Sequence, residues 1–296
     1  MRFTALGKFL FFLLGLALIA TAVHLYVPAD QRPWNRHRGD RTDAPRPDNN
    51  TRDQIAKQNA PQESAPREER PAADSADPWV RIPAGLFRSG RGAAQVELPA
   101  FSIQRREVTN AQYASFLEAC PRGSACGPRE LPSYWEDRAY LVAGAQLPVV
   151  FVSWNDAAAY CLWAGARLPT AAEWEKAARG TDGRPYPAGD LLDPGAVNIL
   201  GTDRRAEKLS AAKQIATWRV DDPRYARDSG PYGVLGMAGN VSEWTSSASP
   251  DEPDLRLAAG GSWDSWDLAD GRADHRLPKD PTDRSSSLGF RCAKSR

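Results

Sequence analysis

The distribution of hydrophobic and polar positions divides the chain into three parts. Residues 1–30 contain an apolar run, Phe9 to Val27, that is long enough to span a bilayer. Residues 31–77 are rich in proline and in charges of both signs, with too few apolar side chains to offset the entropy of ordering, so we expect a disordered tether there. Apolar positions at strand and helix spacing begin only in residues 78–296, which we predict to be the folded domain.

The N-terminal apolar run has two interpretations. Left uncleaved, it is a signal anchor that holds the chain in a membrane. The small residues Ala20-Thr21-Ala22 also resemble a cleavage site, which would make it a removable signal peptide. Basic residues do not decide the orientation, because Arg2 and Lys8 precede the run and four arginines follow it between residues 32 and 41.

Three predicted helix starts share one capping pattern. A Thr or Ser is followed three residues later by Gln, Asp or Glu, so each side chain can satisfy a free backbone N–H of the first turn. Apolar residues at helical spacing follow, and Gly165 and Gly180 are placed to end the second and third helices. The three pairs are Thr109 with Gln112, Ser153 with Asp156, and Thr170 with Glu173.

Strand signals are fewer. Val80, Ile82 and Leu86 alternate around the turn Pro83-Ala84-Gly85 and predict a short hairpin. The apolar run 148–152 predicts a buried strand, and "LGFRCA" near the C-terminus predicts a closing one.

Composition then excludes several classes of protein. The 38 basic and 37 acidic residues leave almost no net charge, so the chain lacks the basic face of a nucleic-acid-binding protein. No repeat of fixed period is present, which excludes solenoids and propellers. Ten tryptophans, 23 glycines and 24 prolines predict a loop-rich domain with a core of large rings, to which we assign Trp154, Trp163 and Trp174.

A glycine-rich stretch, "GPYGVLGMAGNVSEWTSS", contains the first candidate binding site. Gly233, Gly236 and Gly239 indicate positive φ or a close backbone approach, and Glu243 follows them. One carboxylate among backbone carbonyls is typical of a calcium loop. A glycine corner with a solvated glutamate explains the same residues equally well.

Several separated motifs, in this order, are similar to the formylglycine-generating enzyme family, also called sulfatase-modifying factors. They are "IPAGLFRSG", "VTNAQYASFLEAC", "VSWNDAAAYCLWAGARLPTAAEWEKAARG", "YGVLGMAGNVSEWT", "GGSW" and "LGFRCA". The resemblance covers about residues 79–296. It implies an α+β domain of C-type-lectin-like fold with little regular secondary structure.

The resemblance also implies a pairing for two of the four cysteines. Cys161 and Cys292 match the positions of a family disulfide that joins the second helix to the final strand. Cys120 and Cys126, in "CPRGSAC", are close enough to pair locally, although the family does not imply that bond. Two disulfides indicate an oxidising compartment. We therefore expect a protein anchored in the inner membrane with its domain in the periplasm, or a secreted periplasmic one if the signal is cleaved.

The stretch "GGSWDSW" at 260–266 matches the floor of the family's active cleft. In the family's oxidases two cysteines follow it and bind copper as thiolates, a soft ligand set that suits Cu(I). Ser265 and Asp270 stand at those positions in this chain, so copper is not expected. His275 is the single histidine of residues 78–296, and one histidine does not make a metal site.

Only some of the family's calcium ligands have counterparts in this chain. The resemblance implies carbonyl ligands from Gly239 and Val241 and a carboxylate ligand from Glu243. Gly236 stands where relatives place a ligating asparagine, which weakens that site. Asn198 and Ile199 match the start of a second site, whose other half has no clear counterpart. Calcium is therefore a possible cofactor.

Two functions remain after these observations. In the first, the domain is a binding or regulatory module for an extracytoplasmic protein or a small ligand, and we expect it not to oxidise cysteine to formylglycine. In the second, it is an oxidase or maturation enzyme of the family, of the formylglycine-generating, siderophore or nitrite-reductase type. The candidate cleft residues are Trp263 and Trp266 as apolar walls, with Asp264, Ser265, Arg272 and Arg276 as polar contacts. Arginines that brace the final strand are an equally good interpretation of the last two.

Overall fold

The computed structural model of the protein describes residues 78–92, 94–121, 123–127, 131, 135, 144–199 and 217–295. The predicted N-terminal anchor or signal peptide and the predicted tether lie outside these residues. Within the described ranges, no helix has both the length and the apolar character needed to cross a bilayer.

Three α-helices begin where the capping pattern predicts them. They are α1 (Asn110–Ala119), α2 (Trp154–Trp163) and α3 (Ala171–Arg179). Each has a complete capping box, with the reciprocal side-chain and backbone bonds formed by the predicted pairs. These local signals were confirmed because all their partners lie within one helical turn.

Nine short strands of the described residues form three sheets. β1 (Trp79–Ile82), β4 (Phe101–Gln104) and β9 (Ala293–Ser295) form an antiparallel sheet in the order β1-β4-β9. β2 (Gly85–Ser89) and β3 (Ala94–Leu98) form a separate hairpin. The remaining sheet has the order β7-β6-β5-β8, in which the β5–β8 pair is parallel. Its strands are β5 (Ser242–Ala248), β6 (Arg256–Ala259), β7 (Arg276–Lys279) and β8 (Leu288–Gly289).

The strand predictions needed correction. β1 and β2 flank the predicted turn, but β1 pairs with β4 and β2 with β3, so the hairpin prediction was wrong in its pairing. Residues 148–152 are mostly buried but make only an isolated bridge, Thr109 to Pro148, because Phe151 has φ 57° and breaks the extended conformation. "LGFRCA" divides into β8 and β9, which belong to different sheets.

The core of the described residues contains three apolar clusters, two of them large. Rings of Tyr113, Phe116, Tyr160 and Phe290 pack between α1, α2 and the C-terminal segment, with the Tyr160 and Phe290 centroids 5.3 Å apart. The second cluster joins β1 and β4 to Trp174 of α3. Trp174 is thus in the core as predicted, whereas Trp163 is 40% exposed.

Both predicted disulfides are present. Cys161 of α2 is bonded to Cys292 across 131 residues, and Cys120 is bonded to Cys126. The first bond is fully buried and ties α2 to the segment that leads into β9.

Candidate functional site

The stretch "GGSWDSW" leaves the end of β6 through two glycines. Gly260 has φ 77°, and a Cβ added there would lie 3.0 Å from the Trp174 ring. A Cβ on Gly261 would lie 2.8 Å from the carbonyl oxygen of Ala238. Both glycines are therefore required where this stretch packs against α3 and the glycine-rich segment.

The two tryptophans of this stretch have different surroundings. Trp263 is buried, and its indole Nε1 donates to the carbonyl of Ser286 over 2.9 Å. Trp266 is 87% exposed. Of the two residues predicted as apolar walls, one ring therefore belongs to the interior and the other extends into solvent.

The two polar residues between the tryptophans, Asp264 and Ser265, both hydrogen bond to Ser262, which precedes Trp263. The Ser262 hydroxyl donates to Asp264 Oδ1 over 2.6 Å, and the Ser262 amide donates to Ser265 Oγ over 3.0 Å. Asp267 accepts from the amide of Ala269 at the start of a 3₁₀ turn, Leu268–Gly271. These bonds give the loop a defined shape.

The residues at the family's copper positions do not fit a thiolate-bound copper ion. All four cysteines of the chain are in disulfides, and oxygen atoms of Ser265 and Asp270 stand where the resemblance places sulfur. Hard oxygen donors are poor ligands for Cu(I). Across the described ranges, no group of three or more His, Cys, Asp or Glu side chains is arranged to hold a metal ion.

Arg272 and Arg276 belong to a charge network rather than to a binding cleft. Arg272 makes two bonds to Asp274, of 2.8 and 2.9 Å. Arg276, on β7, donates to the Ala171 carbonyl and contacts Glu175 of α3 at 3.2 Å. Arg276 therefore braces β7 against α3, whereas Arg272 is bonded to Asp274 within its own segment.

The glycine-rich segment holds a fully buried ion pair. Arg291 bonds both oxygens of Glu243 at 2.7 Å, and Trp174 Nε1 donates to the same carboxylate over 2.8 Å. The guanidinium also donates to four backbone carbonyls, which belong to Gln104, Arg105, Leu235 and Gly236. Glu243 is therefore neither solvated nor a free ligand.

Calcium at the predicted residues fits poorly for the same reason. A guanidinium already supplies the positive charge beside Glu243 and takes both of its oxygens. The Asn198 carbonyl accepts from the Asn240 amide over 2.9 Å, and the Gly239 carbonyl accepts from the Val241 amide over 3.0 Å. Calcium at Gly239, Val241, Glu243, Asn198 and Ile199 stays a prediction, and the ion would have to compete with Arg291 for Glu243.

Two buried carboxyl groups beside this pair escaped the sequence analysis. Glu107 Oε1 accepts from Asn240 Nδ2 over 3.0 Å, while its Oε2 and Asp228 Oδ1 have no hydrogen-bond partner among the residues that the structure describes. Burial raises the pKa of Glu107 to about 7 and that of Asp228 to about 8. Their sequence context carries no signal of burial, because neither stands in a recognisable motif.

A cavity of about 240 Å³ lies apart from the stretch "GGSWDSW". Pro78, Gln104, Arg106, Gln112, Gln146 and Val220 contribute to its lining. Arg106 Nε donates to the Val220 carbonyl over 2.7 Å, which holds that guanidinium against one wall. None of the predicted site residues lines this cavity.

Comparison with protein families gives a match over most of the chain. Residues 63–296 match the family described as "Sulfatase-modifying factor enzyme 1-like domain". The structure is similar in fold to that of a protein titled "Crystal Structure of CarF", with a TM-score of 0.53 and 22% identity over 73% of this chain and 97% of the other.

Three curated relatives have informative names. "Inactive C-alpha-formylglycine-generating enzyme 2" of Mus musculus is 41% identical over 51% of this chain and 50% of its own length. "Formylglycine-generating enzyme" of Streptomyces coelicolor is 32% identical over 72% of this chain and 88% of its own. "Serine/threonine-protein kinase Pkn1" of Chlamydia trachomatis serovar L2 is 32% identical over 72% of this chain and 37% of its own. The chain thus spans about half the length of the mammalian relatives that it matches.

Proposed function

We propose that the chain is a non-catalytic binding or regulatory module. It belongs to the sulfatase-modifying factor enzyme 1-like family, but all four of its cysteines are in disulfides and none is a free thiol. In this role it recognises an extracytoplasmic protein or small ligand and does not oxidise cysteine to formylglycine. The observation that carries the proposal is the donor set at the family's copper positions, where Ser265 and Asp270 supply oxygen and no cysteine remains unpaired.

The charged groups around this region support a non-catalytic use of the family scaffold. Glu243 is neutralised by Arg291, and Arg276 is bonded to α3. Ser262 hydrogen bonds to both Asp264 and Ser265. An oxidase would need groups that hold a redox metal or polarise a substrate, and these side chains are already engaged with other parts of the domain.

The relatives' names are compatible with this use. One relative is called inactive, and another is a kinase in which the matched part is 37% of the chain. A domain that occurs within a kinase can serve recognition or regulation. The Streptomyces relative called a formylglycine-generating enzyme favours the alternative, an oxidase or maturation enzyme of the same family.

The location in the cell belongs to the same proposal. Two disulfides support an oxidising compartment, hence a periplasmic domain held by the N-terminal segment or released if that segment is cleaved. Within the α+β fold, the mixed short helices and strands support a C-type-lectin-like architecture. Nucleic acid is not expected as a partner, because basic and acidic residues are balanced at 38 and 37.

The test is a search for oxidase activity in the full-length protein. The protein is loaded with Cu(I) and incubated with oxygen and a cysteine-containing peptide substrate of a formylglycine-generating enzyme, and the peptide is analysed by mass spectrometry for the aldehyde. We expect no aldehyde and no retained copper after desalting, because thiolate ligands are missing. The Streptomyces enzyme serves as positive control.

A designed variant distinguishes two explanations for a failure to retain copper, namely missing thiolate ligands and misfolding of the protein. Ser265→Cys combined with Asp270→Cys restores two thiols at the family's positions, and we expect it to retain copper where the unaltered chain does not. Aldehyde formation by the unaltered chain would sink the non-catalytic proposal and leave the oxidase alternative.

A further inference from the structure

An exposed apolar surface adjoins the altered stretch. Leu191, Trp266 and Leu268 are 85%, 87% and 36% exposed, and we call these three residues the Trp266 surface. Their two segments approach each other at one point, where a Cβ added at Gly271 would lie 3.4 Å from Leu192 Cδ2. Exposure of an indole to this extent is unfavourable in water, and a partner that buried the ring would gain the corresponding free energy.

The surroundings of the Trp266 surface are acidic. Its two segments, 190–193 and 263–271, contain five aspartates and neither lysine nor arginine. Asp193 pairs with Arg227 at 3.0 Å, and Arg184 compensates Asp190 in part. Within the described ranges, Asp264 and Asp267 make no ion pair. Asp270 has only His275, at 3.8 Å, and burial lowers the pKa of that imidazole so that it is neutral at pH 7.

The loop presents this surface without collapsing onto the domain. Trp263 anchors one end through its bond to Ser286, and the Ser262–Asp264 and Asp267–Ala269 bonds fix the backbone between. Trp266 therefore extends from a loop whose shape is fixed by internal hydrogen bonds. A rigid aromatic side chain in such a setting loses little entropy on binding.

We propose that the Trp266 surface docks a basic segment of a partner protein, an inference that rests on the proposed binding function. An arginine or lysine of the partner stacks on the indole by cation–π attraction, while its aliphatic stem covers Leu191 and Leu268. Asp264, Asp267 and Asp270 supply the complementary charge.

The charges exclude the other occupants of such a surface. A second copy of this chain would bring the same aspartates face to face, and like charges at an interface are repulsive. An anionic membrane surface would be repelled in the same way, since attraction there requires lysine and arginine. Only a cationic partner gains both from the apolar residues and from the unpaired carboxylates.

The test uses the full-length protein in detergent micelles and a defined probe. The probe is a fluorescent peptide of alternating arginine and leucine, and a peptide with glutamate in place of arginine is its control. Binding is followed by fluorescence anisotropy at low and at physiological salt. We expect the basic peptide alone to bind, with an affinity that falls as salt rises.

Matched variants locate the binding site. Trp266→Ala should weaken binding about tenfold or more, because exposed aromatic anchors dominate interfaces. Asp264→Asn with Asp267→Asn should weaken binding and flatten its salt dependence, while the asparagines keep the hydrogen bonds of the loop. Leu86→Ala, at a residue of β2 that is 56% exposed, and Asp251→Asn with Glu252→Gln on the β5–β6 turn are controls that should change nothing.

Several outcomes would overturn this inference. They are no binding of the basic peptide, equal loss in the Leu86→Ala control, or a dimer in sedimentation that Trp266→Ala dissociates. None of these results would be evidence for oxidase activity, so the proposal that the protein is non-catalytic would still stand. Conversely, aldehyde formation in the oxidase assay removes the proposed function whatever the peptide does.

Discussion

At the scale of single residues, Arg291 is the most consequential side chain of the described domain. It is fully buried, and its donors are shared between Glu243 and four backbone carbonyls from two separate segments. A buried charge is tolerated only when it is paired and hydrogen bonded in this way. The pair therefore joins the start of β5 to the turn after β4 and to the glycine-rich segment.

Removing one partner of this pair should be severely destabilising. Glu243→Gln keeps the size of the side chain but removes the carboxylate that Arg291 bonds directly in the interior, for which we expect a loss of about 3–5 kcal/mol in the free energy of unfolding. Urea denaturation followed by circular dichroism measures it. Asp221→Asn, which breaks the exposed pair with Arg219, is the matched control and should have little effect. An equal loss in both variants would contradict the special role of the buried pair.

At the scale of elements, the two disulfides differ in what they connect. Cys161–Cys292 joins α2 to the C-terminal segment and closes a sequence separation of 131 residues. Cys120–Cys126 follows the end of α1 and closes a separation of only 6. Cys161 and Cys292 are fully buried, whereas Cys126 is exposed.

This difference predicts unequal contributions to stability. Replacing Cys161 and Cys292 by alanine should cost about 5 kcal/mol in the chain-entropy description, against about 2 kcal/mol for Cys120 and Cys126. Urea unfolding of the two double variants measures the losses. Mild reduction and alkylation, read by mass spectrometry, should label Cys120 and Cys126 first. Earlier labelling of the buried pair would contradict this expectation.

The charge network around α3 shows how elements of different sheets are joined. Glu175 accepts from the Gly90 amide at 2.7 Å, from Arg179 at 2.6 Å and from Arg276 at 3.2 Å. One carboxylate thus holds the β2–β3 hairpin and β7 to the same helix. This arrangement explains why Arg276, which the sequence suggested as a ligand contact, serves the scaffold.

At the scale of the whole molecule, the buried carboxyl groups make stability depend on pH. Glu107 and Asp228 lie near Glu243, Arg291 and Tyr225, so one guanidinium faces three carboxyls. Their folded pKa values, about 7 and about 8, lie above the ordinary values of 4.5 and 3.8. Between these limits the folded state binds more protons than the unfolded state, so the stabilisation present at low pH is lost as pH rises.

We therefore expect the free energy of unfolding to fall from pH 5 to pH 8. Each carboxyl contributes up to about 1.4 kcal/mol per pH unit within its own window. Urea denaturation across this range measures the slope. Glu107→Gln and Asp228→Asn should each flatten it and stabilise the protein at pH 8, because a neutral amide no longer has to ionise. Glu252→Gln, on an exposed turn, should leave the slope unchanged, and a slope that persists in the first two variants would refute the assignment.

The incorrect strand predictions show which parts of the fold the sequence could not specify. Val80, Ile82 and Leu86 were correctly placed in strands, but their partners lie on β4 and β3, which no local pattern identifies. Phe151 adopts φ 57° because its amide donates to Ser285 and its carbonyl accepts from Arg284, both more than a hundred residues away. Such contacts override the strand preference of an apolar run.

Sequence by itself determined the three helix starts, the family and the absence of cysteine beside "GGSWDSW". Those features depend on neighbours within a few residues or on residue identity alone. Only the tertiary structure decided that Trp263 is buried and Trp266 exposed, that Glu243 is neutralised by Arg291, and that Glu107 is buried beside Asn240. The partners in the last two contacts are 48 and 133 positions apart, and the environment of a charge is set by whichever residues folding brings around it.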